Sequence, residues 1–297
     1  MRVNLFIIGA MKGGTHAAHA VLGSHPAVAA SNFKEPSHFV AAEELRQVWP
    51  KPLPYQDADA YRALFDVRPE TRYLCEASTR YSTLPDTPGV ADRIHAYNPD
   101  ARLVYMVRDP LRRIISQFFQ ERRTGRISGS FADIVRASER FVAYSDYAMQ
   151  IAPFLALFPR ENIRIVVSER FMADTEAEAG RLFEWLDLDP AQARFETSVH
   201  HPTPDMVGVP GGLLKRVPIR RTSLWQLGRR HAPVWLEHFV KAMLYNDNLR
   251  PRDIRSADID EDIRARVAAN ACRFYELIGG PVPEWRDTNE AIARYAG

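Results

Sequence analysis

The stretch LFIIGAMKGGT, residues 5–15, decides how this chain begins to fold. Its first part, Leu5 to Gly9, is an apolar run that ends in glycine, which is typical of a strand buried inside a parallel sheet. Residues 15–24 follow as an Ala-rich helix that ends before the His25-Pro26 step. The stretch therefore predicts a strand, a glycine-containing turn and a helix in direct succession.

Strand and helix signals keep alternating as far as residue 186. Asp109 is placed to cap one helix, and Pro110 suits its first turn, where a missing N–H costs nothing. The further strands are predicted at 28–31, 72–75, 102–107 and 163–167, and the further helices at 57–65, 89–97, 110–123, 144–158 and 175–186. This alternation predicts an α/β fold, a P-loop-like open parallel sheet with helices on both faces.

The last third of the chain has a different composition. Residues 202–230 are rich in proline and glycine, and residues 215–230 hold six basic side chains and no acidic one. This segment is either a solvated loop or a lid that covers an anion or attracts an acidic acceptor. Helical patterns resume at 234–245 and 258–278. We predict one domain over residues 1–297, with a core at 1–200, the basic loop at 202–230 and C-terminal helices at 231–297; a separate C-terminal domain is the alternative.

Composition excludes several classes of protein. With 39 basic and 37 acidic residues the net charge is +2, so no global field attracts nucleic acid, and any anion site must be local. Cys75 and Cys272 are the two cysteines, which excludes a disulfide scaffold and favours a reduced compartment. The apolar run at residues 5–11 is too short to span a bilayer, and the rest of the sequence contains no apolar run of spanning length. We therefore expect a soluble cytoplasmic protein without a transmembrane segment.

The turn at residues 9–15 has the features of an anion site. Free N–H groups at a helix start bind phosphate-like groups, Lys12 adds a mobile positive charge and Thr15 adds a hydroxyl. The turn is not a Walker A loop, because Lys12 precedes Gly13 and Gly14, whereas the Walker lysine follows the last glycine. An ordinary glycine turn is the alternative interpretation.

Two further segments carry candidate chemistry. Arg108 follows a predicted strand, where the carboxyl ends of parallel strands form a ligand crevice, and Ser116 lies two helical turns further on. A capping Asp beside a structural Arg is the alternative for this motif. In the segment KEPSHF, residues 34–39, Glu35 is a candidate base for an attacking hydroxyl, and His38 is its competitor. A solvated loop is the alternative there.

Together these motifs resemble a known family. The chain is similar to sulfotransferases that use 3′-phosphoadenosine 5′-phosphosulfate, especially bacterial members resembling carbohydrate O- and N-sulfotransferases. Four segments carry the resemblance in register: GAMKGGT at 9–15, KEP at 34–36, EASTRY at 76–81 and RDPLRRIISQF at 108–118. Three features depart from the family pattern. His16 stands in place of Ser or Thr, and Ala77 stands in place of Lys, for which Arg80 is a candidate replacement. The KEP segment continues with Ser37, His38 and Phe39 in place of an aromatic pair.

The resemblance implies roles for these residues. The 5′-phosphosulfate would be held by residues 12–16, that is by Lys12, Gly13, Gly14, Thr15 and the N–H of His16. The 3′-phosphate would be held by Arg108 and Ser116, with Glu35 as the base. The reaction is then in-line sulfuryl transfer to a hydroxyl, or less favourably an amine, of a carbohydrate or small metabolite. The product is 3′-phosphoadenosine 5′-phosphate.

Two other functions stay open at this point. A P-loop kinase or related phosphotransferase shares the strand, loop and helix, and a non-catalytic sulfotransferase-like binding protein would explain His16 and Ala77. The histidines show no metal-ligand spacing with carboxylate or cysteine partners, so we expect no metal.

Overall fold

The computed structural model describes residues 1–48, 54–194 and 253–296. Within these ranges five parallel strands form one sheet in the order β2-β3-β1-β4-β5. The strands are β1 (Leu5–Gly9), β2 (Val28–Ala30), β3 (Tyr73–Ala77), β4 (Arg102–Val107) and β5 (Ile163–Val167). The predicted parallel sheet is confirmed, and its central strand is β1, which continues directly into the glycine turn.

Twelve α-helices lie in the described ranges, and most short ones were not predicted. They are α1 (Thr15–Gly23), α2 (Ala42–Val48), α3 (Ala58–Arg62), α4 (Val90–Tyr97), α5 (Pro110–Arg123), α6 (Phe131–Ala137), α7 (Arg140–Ala143), α8 (Tyr147–Leu157), α9 (Ser168–Ala173), α10 (Thr175–Trp185), α11 (Glu261–Ile278) and α12 (Arg286–Tyr295). A 3-10 turn at Thr79–Ser82 follows β3. The predicted helix over 144–158 was wrong at its start, because the Asp146 carboxylate caps α8 by accepting the Met149 N–H at 3.1 Å.

Side chains of the buried strands alternate between two apolar layers, as the pleat requires. Phe6, Leu103 and Tyr105 face one layer, where α4, α8 and α11 contribute Ile94, Phe154 and Phe274. Leu5, Val104 and Met106 face the other, where α1 and α10 contribute Val21, Leu182 and Phe183. The sheet is therefore covered by helices on both faces, as predicted.

The C-terminal helices pack against the start of α5. Asp109 caps α5 by accepting the Leu111 N–H at 3.0 Å, as predicted, and it also accepts the Thr288 hydroxyl at 2.8 Å. Trp285, just before α12, is fully buried. The predicted loop at 202–230 and helix at 234–245 lie outside the described residues. No helix in the described ranges combines the length and apolar character needed to cross a bilayer.

Candidate active site at the carboxyl edge of the sheet

The turn between β1 and α1 presents backbone donors at the carboxyl edge of the sheet. Lys12 and Gly14 both adopt left-handed backbone conformations, with φ of 70° and 88°. In the described part of the chain the backbone N–H groups of Gly14 and Thr15 meet no acceptor, as expected for the first residues of a helix. These groups are available to an anion, and the positive end of the α1 dipole lies behind them.

Close packing explains why two glycines occur in this turn. A Cβ on Gly13 would lie 2.5 Å from the Met106 carbonyl oxygen of β4, a distance that real Cβ atoms do not reach. A Cβ on Gly14 would lie 2.9 Å from the Ser168 hydroxyl oxygen. The turn therefore lies directly against the ends of the neighbouring strand and of β5.

Lys12 is surrounded by other cations. Burial lowers the pKa of Lys12 to about 8, and the positive charges of Arg123, Arg108, Arg113 and Lys34 add to this effect. Within the described residues the Lys12 ammonium has no hydrogen-bond or ion-pair partner. A half-buried, unpaired lysine among like charges is stabilised by an anion that binds there.

Arg108 extends from the end of β4 toward the same region. Its backbone is fixed by the Tyr147 hydroxyl, which accepts the Arg108 N–H at 3.3 Å and donates to the Arg108 carbonyl at 2.7 Å. Its half-buried guanidinium pairs with no residue in the parts of the chain described. Arg108 is therefore an anchored cation whose five N–H donors are available.

Helix α5 contributes a second row of groups that face Lys12. Ser116, Gln120 and Arg123 follow one another at spacings of four and three residues, so they share one face of the helix. Arg123 exerts the largest charge effect on Lys12, which shows that this face borders the site. The Ser116 hydroxyl is half-buried, and the buried Gln120 Oε1 has no partner in the described structure. Sequence reasoning proposed Ser116 as a site residue and did not consider Gln120 or Arg123, which lie on the same face of α5.

Arg113 is a fully buried cation behind the site. Its guanidinium donates to Ser145 Oγ at 2.7 Å, to the Phe141 carbonyl at 2.8 Å and to Gln117 Oε1 at 2.9 Å. Its Nη1 is buried without a partner among the described residues. Its hydrogen-bond partners are all neutral, and its positive charge adds to the field at Lys12.

Glu35 is held in place from three directions. Lys34 Nζ lies 2.5 Å from its Oε1, while the Thr79 N–H and hydroxyl donate to its Oε2 at 2.8 and 3.1 Å. The Glu35 N–H donates to the Ala77 carbonyl at the end of β3, at 2.9 Å. A carboxylate has about four acceptor positions, so these three bonds leave one for an incoming proton. The charge of Lys34 reaches Lys12, so Glu35 and the glycine turn share one edge of the sheet.

His38 points into an aromatic cluster. Its Nδ1 lies 2.5 Å from the Tyr55 carbonyl oxygen, and its ring stacks on Tyr61 with centroids 4.0 Å apart. Burial lowers the pKa of His38, and the charged group that acts on it is Asp57. The structure therefore places Glu35, through its partner Lys34, at the edge of the sheet that holds Lys12, but it orients His38 toward the loop at Tyr55.

Arg80 lies in the 3-10 turn after β3 and is largely buried. Burial lowers the pKa of Arg80, and the negative charges of Glu35 and Asp86 act against that effect. Ala77 itself is fully buried, and its methyl group packs in the apolar layer that α1 and α10 cover. His16 is exposed on the first turn of α1. Among the described residues, no group of three or more His, Cys, Asp or Glu side chains is arranged to hold a metal ion.

Comparison with known proteins gives consistent matches. Residues 29–192 match the family model described as "Sulfotransferase family". The chain is 29% identical over 190 residues to heparan sulfate glucosamine 3-O-sulfotransferase 6 of Homo sapiens, covering 61% of this chain and 51% of that protein. It is 29% identical over 191 residues to heparan sulfate glucosamine 3-O-sulfotransferase 3A1 of Mus musculus, covering 61% and 45%. The chain thus spans about half the length of the curated relatives it matches.

One solved structure shows the same fold over nearly the whole chain. The crystal structure of a sulfotransferase from Alicyclobacillus acidocaldarius superposes with a TM-score of 0.64, covering 96% of this chain and 99% of that one. The two sequences are 21% identical, so this match bears on the fold.

Proposed function

Because this chain belongs to the sulfotransferase family, we propose that it transfers the sulfuryl group of 3′-phosphoadenosine 5′-phosphosulfate to an acceptor hydroxyl. The observation that carries this proposal is the group of unpaired cations, Lys12 and Arg108, beside a carboxylate, Glu35, at one edge of the sheet. Unpaired cations suit a donor that carries phosphate groups, and the carboxylate suits an acceptor that must lose a proton.

The residues present fit this donor. Gly13 lets the turn pack closely against the Met106 carbonyl of β4, and the turn offers backbone N–H groups together with Lys12. We assign the 5′-phosphosulfate to residues 12–16 and the 3′-phosphate to Arg108 and Ser116. Arg binds phosphate oxygens with paired N–H donors, whereas Lys acts as a mobile point charge.

The reaction follows from these positions. The acceptor oxygen forms a bond to sulfur while the bond from sulfur to the 5′-phosphate oxygen breaks, and the hydroxyl proton passes to Glu35. Lys12 neutralises the charge that builds on the departing phosphate. As in phosphoryl transfer, positioning and charge stabilisation supply most of the rate. Lys34 lowers the repulsion between Glu35 and the donor anion.

The relatives support a glycan as the first acceptor to test. Their names specify 3-O-sulfation of heparan sulfate glucosamine, which is a property of those proteins. We propose that the acceptor of this chain is a hydroxyl of a carbohydrate or a small metabolite. The acceptor panel that tests this also includes amino sugars and phenols. The assay follows labelled sulfate from the donor, and a parallel reaction with ATP and Mg²⁺ tests phosphoryl transfer.

Glu35→Gln tests the chemistry directly. Gln keeps the shape but accepts no proton, so transfer should fall ~10²–10⁴-fold. Binding of the bisphosphate product should stay within about twofold of wild type, because the base does not hold the donor. His38→Ala is the matched comparison and should retain transfer. If Glu35→Gln stays active while His38→Ala is inactive with product binding preserved, the base is His38.

A further inference from the structure

A buried carboxylate lies beneath the segment that carries the proposed base. Glu76 on β3 is fully buried and accepts three hydroxyl hydrogen bonds. Tyr61 and Tyr81 donate to its Oε2 at 2.6 and 2.9 Å, and Ser78 donates to its Oε1 at 2.5 Å. Glu76 takes no part in the proposed transfer step, in which Glu35 accepts the proton and Lys12 neutralises the leaving phosphate.

Two of these hydroxyls continue to the segment Lys34–Phe39, here called the base segment. Ser78 Oγ accepts the Ser37 N–H at 2.9 Å, and the Tyr81 hydroxyl accepts the Phe39 N–H at 3.4 Å. Tyr61, the third donor, lies under the base segment, because its ring stacks on His38. Every side chain that donates to Glu76 therefore also contacts the base segment.

The backbone of the base segment needs this support. Glu35 and Ser37 have φ of 66° and 52°, in the left-handed region that side-chain-bearing residues rarely adopt. Such conformations persist when surrounding contacts over-determine them. The Glu35 N–H is held by the Ala77 carbonyl, and the Ser37 N–H is held through Ser78 by Glu76.

The direction of the hydrogen bonds depends on the ionised carboxylate. Each hydroxyl has one proton, and all three protons point at Glu76, which leaves the hydroxyl lone pairs of Ser78 and Tyr81 free to accept the amides. A protonated Glu76 must donate, so one hydroxyl has to turn its own proton away from the carboxyl. Ionisation of Glu76 therefore keeps the whole network oriented toward the base segment.

We propose that ionised Glu76 is a positioning residue that holds the base segment, and with it Glu35, in the geometry needed for transfer. The proposal rests on the proposed function for the role of Glu35, while the network itself is independent of that role. Burial raises the pKa of Glu76 to about 7, so the network forms fully only above neutral pH. The titratable groups that face Glu76 are Tyr61, Tyr81, the Cys75 thiol and Glu35.

Hydrogen exchange of the Ser37 and Phe39 amides tests this without any assay of activity. Their protection factors, normalised to amides of β1 (Leu5–Gly9) that report global opening, should rise in wild type between pH 6 and pH 8. In Glu76→Gln they should be ~10-fold lower at pH 8 and independent of pH, since the loss of a hydrogen bond to a charged group has about this effect.

Matched variants separate positioning from general loosening. Tyr81→Phe removes the acceptor of the Phe39 amide and should lower protection there more than at Ser37. Tyr73→Phe removes a buried hydroxyl that donates to the Leu186 carbonyl, on the other layer of the sheet, and should leave both amides unchanged. If Glu76→Gln does not fold, the wild-type pH dependence and Tyr81→Phe carry the test.

The kinetic readout separates this proposal from the proposed function. Glu76→Gln should lower kcat ~10-fold at pH 8 with little change in the KM for the donor. Protection at Ser37 and Phe39 in Glu76→Gln equal to wild type at both pH values overturns the positioning role. Normal network behaviour in a protein that transfers no sulfate overturns the proposed function and leaves the positioning role standing.

Discussion

Lys12 is expected to take up a proton when the bisphosphate product of the donor binds. Its pKa is about 8 in the free protein, because burial and the charges of Arg123 and Arg108 disfavour the ammonium form. A phosphate bound next to Lys12 stabilises the ammonium form, because opposite charges attract. It therefore raises the pKa of Lys12 toward or beyond the ordinary value of a lysine. With free-protein Lys12 half neutral at pH 8, binding should take up ~0.5 proton there and ~0.9 proton at pH 9.

The affinity for the product should fall as the pH rises and free Lys12 loses its proton. Relative to pH 7, product binding should weaken ~2-fold at pH 8 and ~10-fold at pH 9, because neutral Lys12 must first be protonated. Titration calorimetry in buffers of different ionisation enthalpy measures the uptake. The phosphates do not contribute above pH 8, since their last proton leaves near pH 6.

Lys12→Arg is the matched control, because arginine keeps its charge over this whole range. It should show no proton uptake and a flat affinity between pH 7 and pH 9. If wild type and Lys12→Arg take up the same number of protons at pH 8.5, Lys12 does not contact the product, and the assignment of the glycine turn is wrong.

Three other perturbations have defined outcomes. Arg108→Ala should weaken product binding by ~2–5 kcal/mol in calorimetry, as for loss of a buried charged partner, whereas Arg112→Ala, whose partner is Asp287 at the surface, should change it little; equal effects would contradict the assignment. Gly13→Ala should lower the free energy of unfolding by ~1–3 kcal/mol, through the contact with the β4 carbonyl, in denaturant titrations. Glu76 has a folded-state pKa raised to about 7, so its contribution to stability is fully present below about pH 4.5 and lost as the pH rises through 7. Wild type should therefore lose roughly 2–3 kcal/mol between pH 5 and pH 8 relative to Glu76→Gln; parallel stability curves for the two proteins would refute this.

The pH-dependent loss of stability expected for Glu76 opposes the positioning effect of the same carboxylate. Ionised Glu76 orients the base segment, yet its buried charge lowers stability. Stability and positioning should therefore change in opposite directions as the pH rises.

Local patterns along the chain were sufficient to predict the architecture. Apolar runs such as Leu5–Gly9 and Arg102–Val107 mark strands because a strand buried on both faces must be apolar throughout. Asp109 and Pro110 mark a helix start because capping involves only neighbouring residues. Short helices such as α2 and α9 were missed, since isolated helices of that length depend on packing and leave little periodic signal.

The motifs also identified several candidate site residues, because turns that expose N–H groups and strand ends that present arginine are encoded locally. The contacts that surround those residues could not be predicted from local sequence patterns. The support of Glu35 by Thr79, the approach of Arg123 to Lys12 and the orientation of His38 toward Tyr55 join positions well apart in sequence.

The physical reason is that hydropathy patterns record which face of an element is buried, but not which side chains meet across the core. Partners, distances and pKa values follow from strand register and from where each helix lies on the sheet. Glu76 shows the difference most clearly. Its sequence neighbours mark a strand, and only the folded chain brings Tyr61, Tyr81 and Ser78 to one carboxylate beneath Glu35.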